Sequence, residues 1–295
     1  MFVSSRDSLL PGRVLAAPSW VMPGTIVENC VFLATMVDEV GLLFMESASC
    51  LAYDKQELPD FLADLSLSYH VHLPVDLPMH EPARAAGICA ALLDAAAHLP
   101  TGNFRREEVW RENLTGAPYR KTGGSADECV GGGARSSQGG GMMRAVIHPP
   151  RHDSADASSA ARSMAAFAEA WLLLGKHPSQ LLLENVRGND LTCLAGLVRE
   201  YDFGLCLDMG HVLAYGQDTL LCRHDLLRRV DMLHVNAPAS GCRAGAHLPL
   251  DSLDAAGRRQ AERICKSIPR HTVIMMELFS WQYIEESLPL IRAWL

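Results

Sequence analysis

Short apolar runs, each too brief for a helix and bounded by polar residues or glycine, recur along this chain and are separated by helix-length segments. Runs of this kind read as strands covered on both faces, the form that parallel strands take. They fall at residues 13–21, 40–47, 68–74, 142–150, 181–186, 204–211, 232–238 and 273–280. Between them the pattern predicts helices over 23–37, 58–67, 83–99, 154–175, 192–201, 225–230 and 255–267, and a last one from 280 to 295. Eight strands alternating with helices predict an α/β fold, a (β/α)8 TIM barrel forming one domain over residues 1–295.

The alternation breaks once. Residues 101–141 hold charged positions and then the run TGGSADECVGGGARSSQGGG. So much Gly and Ser cannot bury enough surface to offset the ordering of its backbone. The segment is expected to be a flexible insertion within the barrel, because the alternation resumes after it. Lying before a strand, it is expected to leave from the rim opposite the chemistry.

Composition narrows the partners. The chain is 48% hydrophobic, enough for a sizeable core, and its formal charge of −8 supplies no basic field for a polyanion. No nucleic-acid partner is expected. The nine cysteines show no CxxC spacing, which argues against a zinc ribbon or a redox pair and for small core residues in a reducing compartment. No basic-then-apolar leader and no run of membrane-spanning length is seen, so the expectation is a soluble, cytoplasmic protein with no membrane partner.

The chemistry gathers at strand ends. Glu46, His70 or His72, His148, Glu184, Asp208, His234 and Glu277 stand there, with His211 and His247 in the following loops. In a barrel of this kind, the C-terminal ends of the strands carry the active site. Carboxylates buried there are costly unless paired or metal-bound. Several of them converging with imidazoles are most simply explained by a divalent cation, and the mixed donor set suits Zn, Mn, Fe or Co better than Ca or Mg. Each position also has a plainer reading: a lone strand-end histidine as a hydrogen-bonded core residue, Glu46 as a loop ion-pair partner, Asp208 with His211 as a helix cap. Their conjunction at one end of the strands favours a metal centre. Of the two histidines in the third strand, side-chain alternation is taken to send His70 and His72 to opposite faces, leaving His72 as the site residue.

The motifs HLP at 72–74, IHPP at 147–150, LLLEN at 181–185, CLDMGH at 206–211, LHVN at 233–236 and MEL at 276–278 occur in that order. In this order they resemble the xylose-isomerase-like TIM barrels, which include endonuclease IV-type phosphodiesterases and sugar epimerases. The resemblance implies a metal centre of Glu184, Asp208, His234 and Glu277. It further implies His72 and His148 as additional ligands, with Glu184 bridging two metals, and His211 and His247 as part of a third site. One or two divalent ions per chain are expected. Gly245 stands two positions before His247, where the endonuclease-type site has an acidic residue, which argues against DNA as substrate.

Within that superfamily the wording LENVRGND, CLDMGH, HVNAP and MELFSW most resembles the cobamide-remodelling phosphodiesterases. The implied activity is hydrolysis of the nucleotide-loop phosphoester of a cobamide, a small-molecule substrate, to cobinamide and α-ribazole phosphate. Glu184, Glu277 and His211 are then the candidate catalytic groups. Glu46, Trp20, Met22, Met209 and Trp281, near strand ends, are candidate contacts to a bulky apolar ring. Two alternatives stay open: a sugar isomerase or epimerase, in which one metal and two facing carboxylates move protons beside a carbonyl, and a non-catalytic corrinoid binder.

Overall fold

In a computed structural model of the chain, residues 9–102, 142–151, 157–239 and 243–295 are described; for 243–246 this covers the backbone only. Eight parallel strands close into a barrel: β1 (Leu15–Pro18), β2 (Glu39–Leu43), β3 (Ser68–His72), β4 (Ala145–Ile147), β5 (Leu181–Glu184), β6 (Gly204–Asp208), β7 (Val230–His234) and, after two further strands, β10 (Val273–Met275), which pairs with both β7 and β1. This is the (β/α)8 architecture that the apolar runs predict.

Helices cover the outside. The first, α1 (Ile26–Leu33), starts with a reciprocal cap: Thr25 Oγ1 accepts from the Glu28 amide and Glu28 Oε2 accepts from the Thr25 amide at 2.7 Å. That arrangement satisfies two otherwise orphaned donors of the first turn. Among the described residues the other helices are α2 (Ser47–Leu51), α3 (Pro82–Ala95), α4 (Ala157–Leu173), α5 (Ala195–Glu200), α6 (Met209–Tyr215), α7 (Asp218–Leu221), α8 (His224–Leu227), α9 (Ala255–Ser267) and α10 (Trp281–Trp294).

Several predicted boundaries move. The ordered ladders are shorter than the apolar runs, because strand pairing stops where the chain turns out over the rim. Residues 60–64 form a 3-10 turn instead of a helix over 58–67. The expected helix over 225–230 is only the short α8, His224–Leu227, with α7 before it at Asp218–Leu221, and Val230 already belongs to β7. The seventh run ends at His234; beyond it Ala237–Ala239 (β8) pairs antiparallel with Arg243–Leu248 (β9), a hairpin absent from the predicted pattern.

Two apolar layers result. One lies between sheet and helices, and the other fills the barrel with Ala16, Val146, Leu182, Cys206, Met232, Val273 and Met275. Strand side chains repeat in direction every second residue. The inward series therefore continues upward from Val146 to His148, Leu182 to Glu184, Cys206 to Asp208, Met232 to His234 and Met275 to Glu277. The metal-binding candidates are the top layer of the barrel's own filling.

The same rule corrects the reading of β3. His70 and His72 are two residues apart and share the inner face. His70 sits one layer down, its Nδ1 2.5 Å from Glu39 Oε1, while His72 reaches the top layer. A Cβ on Gly41 would lie 2.7 Å from His70 Nε2 and 2.8 Å from Met275 Cε, so β2 needs a glycine to make room for that imidazole.

The insertion leaves from the N-terminal rim: the Tyr69 amide donates to Pro100 O at 2.8 Å, and Thr101 bridges Tyr69 near the start of β3. The rest of the expected flexible segment, 103–141, lies outside the described residues. Cys30, Cys50, Cys89, Cys206 and Cys265 are buried free thiols, and burial pushes Cys30 and Cys265 up to about 12. Except for Cys206, which lies beside His234, they are packing groups, as their apolar settings suggest. Among the described residues, no helix is long and apolar enough to cross a membrane.

Candidate metal centre

The top layer brings Glu184, Asp208, His234 and Glu277 together, one ligand atom of each lying within 4.8 Å of the others. Register does this directly. Asp208 stands opposite His234 across β6 and β7, and His234 opposite Met275, two residues before Glu277. His72, Glu184 and His234 form a second group of the same kind that shares Glu184 and His234 with the first.

Glu184 is the hub. Its Oε2 lies 3.2 Å from His72 Nε2 and 3.1 Å from His148 Nε2. Its Oε1 lies 3.5 Å from His234 Nδ1 and 3.8 Å from His211 Nδ1. Across the mouth, Glu277 Oε2 is 3.2 Å from His234 Nδ1 and 3.4 Å from His247 Nδ1. Asp208 has two roles at once: its side chain caps α6 by accepting the His211 amide, and it lies 4.0 Å from His234 Nδ1. The cap reading and the ligand reading of Asp208 are compatible.

His234 tests whether a cation fits. Its ring is fully buried, and neither nitrogen makes a hydrogen bond. An imidazole in that condition forfeits its hydration without replacement, and a cation among the surrounding carboxylates would supply what is missing. The other histidines are set for the same task. His72, His211 and His247 hold Nδ1 at 3.1, 2.7 and 3.1 Å from the carbonyls of Leu73, Asn185 and Glu277. For His72 this is the orientation of a ligating histidine, one ring nitrogen tied to a carbonyl and the other turned to Glu184; His211 and His247 turn the same Nδ1 to carbonyl and carboxylate alike. His247 also has left-handed backbone (φ 41°), the kind of strain that gathers at functional sites, and its ring lies tilted against Phe279 with centroids 4.7 Å apart.

Without a cation the cluster behaves as a mesh of ion pairs. Burial works against the His234 imidazolium, but Cys206, Glu277 and Glu184 outweigh it and hold its pKa well above the ordinary value. His72 is raised in the same way, burial being overcome by Glu184 and Glu277; His211 is raised by Asp208 and Glu184 against its own burial. Burial opposes the Glu184 carboxylate, yet His148 and His234 pull it well below the usual range. Glu277 is drawn to about 2, its burial overcome mainly by His234. Asp208 goes the other way: burial, then the nearby Glu277 and Glu184 charges, raise it despite His211.

The structure places the remaining predicted residues elsewhere. Glu46 is exposed at the head of α2, 3.4 Å from Ser49 Oγ. Met209 is fully buried and offers nothing to a ligand at the rim. Trp281 packs edge-on against Phe32, ring centroids 5.5 Å apart. Trp20 is 53% exposed and does face solvent at the mouth; Met22 is half-buried behind it.

Three buried amides, Asn185, Gln217 and Asn236, also belong to the site. Asn236 Nδ2 donates to Asp208 Oδ2 at 2.9 Å and to Glu277 Oε2 at 3.3 Å. Asn185 accepts from the Asp208 amide and donates to Gln217 Oε1, and Gln217 in turn donates to Val186 O, tying the ends of β5 and β6 together. The signal was present: each asparagine directly follows or nearly follows a ligand residue at an apolar strand end, where an uncharged polar group has reason to exist only if it bonds to something.

No family model matches the chain, and no curated protein does. Solved structures do. A D-tagatose 3-epimerase-like protein superposes with a TM-score of 0.56 at 12% identity, over 95% of this chain and 96% of the other. A xylose isomerase-like TIM barrel protein from Mycobacterium smegmatis, in complex with magnesium, gives 0.49 at 12% identity, over 95% and 97%. The first establishes the shared barrel fold. Neither supports the resemblance to cobamide-remodelling enzymes in particular.

Proposed function

We propose that the chain is a divalent-metal-dependent phosphodiesterase acting on a small organic substrate at the C-terminal mouth of the barrel. The observation that carries this reading is the double engagement of Glu184, with His72 and His148 on one oxygen and His234 and His211 facing the other. A carboxylate flanked by imidazoles on both sides would be suited to help hold two cations rather than one. Glu184, Asp208, His234 and Glu277 would hold one cation, and Glu184 with His72 and His148 a second. Bound there, divalent cations supply the Lewis acidity that neutralises a phosphodiester and makes attacking water acidic.

The chain's own groups account for the proton movements. Glu277, which faces the mouth beside His234 and His247, takes a proton from water as the water oxygen bonds to phosphorus. His211, whose pKa is raised by Asp208 and Glu184, gives a proton to the departing alkoxide as the ester P–O bond breaks. The products are a phosphomonoester and an alcohol. Trp20, Met45, Val75 and Phe279 are exposed just beyond β1, β2, β3 and β10, which are neighbours in the barrel. One side of the mouth is therefore apolar, which suits a substrate with a bulky apolar body, and the cobamide suggested by the sequence motifs has one.

A second reading, a sugar isomerase or epimerase, is favoured by the facing Glu184 and Glu277 carboxylates around one shared His234, and the solved structures lie nearer to it. Their identity of 12% fixes architecture, whereas chemistry resides in the donors. The two readings separate in one experiment. Protein loaded with Mn2+, Zn2+ or Co2+ is assayed beside its chelated form on adenosylcobalamin, bis(4-nitrophenyl) phosphate and ketohexoses, with metal counted per chain. Phosphodiester cleavage with about two metals bound supports the proposal, and cobinamide with α-ribazole phosphate identifies the cobamide. Conversion of ketohexose with one metal bound and both diesters intact overturns it in favour of the second reading.

A further inference from the structure

We propose that Asn236 and Gly210 form a positioning pair that holds Asp208 and Glu277 ready for a single cation; the inference rests on the metal reading of the site but not on which reaction follows. Asp208 and Glu277 come from β6 and from the loop after β10, and nothing in their own strands prevents their charges from pushing the side chains apart. The buried amide of Asn236 spans them, its Nδ2 donating to Asp208 Oδ2 at 2.9 Å and to Glu277 Oε2 at 3.3 Å. The other Asp208 oxygen is held by the His211 amide. Asp208 is thus tethered on both sides and Glu277 on one, each with lone pairs left for a metal.

A neutral amide suits this task. Lysine or arginine in its place would hold the carboxylates equally well but would compete with the cation for their charge. Asn236 adds no charge, does not titrate, and fixes orientation alone.

Gly210 makes room for that amide. A Cβ built on Gly210 would fall 1.8 Å from Asn236 Oδ1 and 2.8 Å from its Cγ. No contact of that kind survives, so any side chain at 210 displaces the Asn236 amide. The first turn of α6, which begins with Met209 and is capped by Asp208, is packed against the group that orients Asp208. Glycine in this CLDMGH segment is required by a neighbour's amide and not by backbone conformation.

The test is Mn2+ binding, read by titration calorimetry and by loss of the free-ion electron paramagnetic resonance signal, on wild type, Asn236→Ala, Gly210→Ala and the double variant. Removing a partner that orients metal ligands weakens affinity by roughly 10- to 100-fold, and that loss is expected for each single variant. The double variant should bind no worse than the weaker single, because both changes act through one amide and residues acting as a unit are not additive. Far-UV circular dichroism and melting temperature accompany each titration; if Gly210→Ala fails to fold, Asn236→Ala carries the test alone. Wild-type binding retained within twofold in Asn236→Ala, or losses that multiply in the double variant, overturns the pair. A wild type that binds no Mn2+ removes the metal reading as well, so the two failures are distinguishable.

Discussion

The barrel encloses buried charge at two levels, and the levels are wired differently. Among the apolar filling, one layer below the top, Glu39 and His70 meet one to one at 2.5 Å, with Ser68 Oγ donating to the other Glu39 oxygen at 3.2 Å. At the top, each carboxylate faces more than one imidazole, and His234 satisfies neither of its nitrogens. In the one-to-one pair each Glu39 oxygen has its own partner and only His70 Nε2, packed against Gly41, goes without a hydrogen bond. A mesh in which acceptors are shared and a buried imidazole is left without a hydrogen bond is incomplete as it stands. The N-terminal end of such a barrel is where stability resides and the C-terminal end is where chemistry does, and here the wiring of the charges shows that division.

The comparison is broken most severely at Glu184. Replacing it with Ala removes the shared partner of His72, His148, His211 and His234, and metal content by elemental analysis should fall beyond the roughly 10- to 100-fold expected for an outer partner, with catalytic turnover lost. Full metal content in Glu184→Ala would refute the top-layer assignment.

At the lower level the expected effect is on folding alone. His70→Leu leaves the Glu39 carboxylate buried and uncompensated, which costs about 3–5 kcal/mol, measurable by denaturant unfolding. The double change Glu39→Leu with His70→Leu should recover most of that, since hydrophobic replacements of a buried pair are often neutral. Metal affinity should be unchanged throughout. A fall in metal affinity would join the two levels that the wiring separates.

Proton dependence sharpens the contrast. His234 is raised above its ordinary value in the folded protein, so its contribution to stability is complete below about 6.5 and is lost as pH rises through the folded value. Glu277 is depressed to about 2 from 4.5, so its contribution is present above 4.5 and is lost as pH falls toward 2. The chelated protein should therefore be most stable between about 4.5 and 6.5 and melt progressively lower as pH increases. Metal binding requires neutral imidazole and releases the proton, so the loaded protein should lack that alkaline decline. Melting curves of both forms from pH 5 to 9 check this, and parallel slopes would contradict it.

The smallest effect is expected at Glu46. It is exposed and bonds only locally to Ser49, so Glu46→Gln should shift stability by less than about 0.5 kcal/mol and leave metal affinity unchanged. A marked loss of metal would bring the second strand's carboxylate back into the site.

What could be read from the chain alone was whatever depends on local periodicity. Apolar runs spaced by helix-length segments specify parallel strands and covering helices, because each strand must be buried on both faces and each crossover needs a helix. Period-two alternation likewise carries Leu182 to Glu184, Cys206 to Asp208 and Met232 to His234 on one face, so the sequence alone puts these groups at the same end of their strands. The rest depends on how strands meet. That His70 and His72 occupy different layers of one inner face follows from alternation once β3 is known to line the barrel, but what each layer contains is set by closure, which seats His70 between Glu39 and Gly41. That Glu46 turns to solvent and Met209 inward depends on where each ladder ends, and the ladders end where the neighbouring strand does. Asn236 is a ligand-orienting amide only because β7, β10 and the first turn of α6 converge on it from positions 26 and 41 residues away. Register, closure and the room left by an absent side chain are non-local quantities, and only the folded chain fixes them.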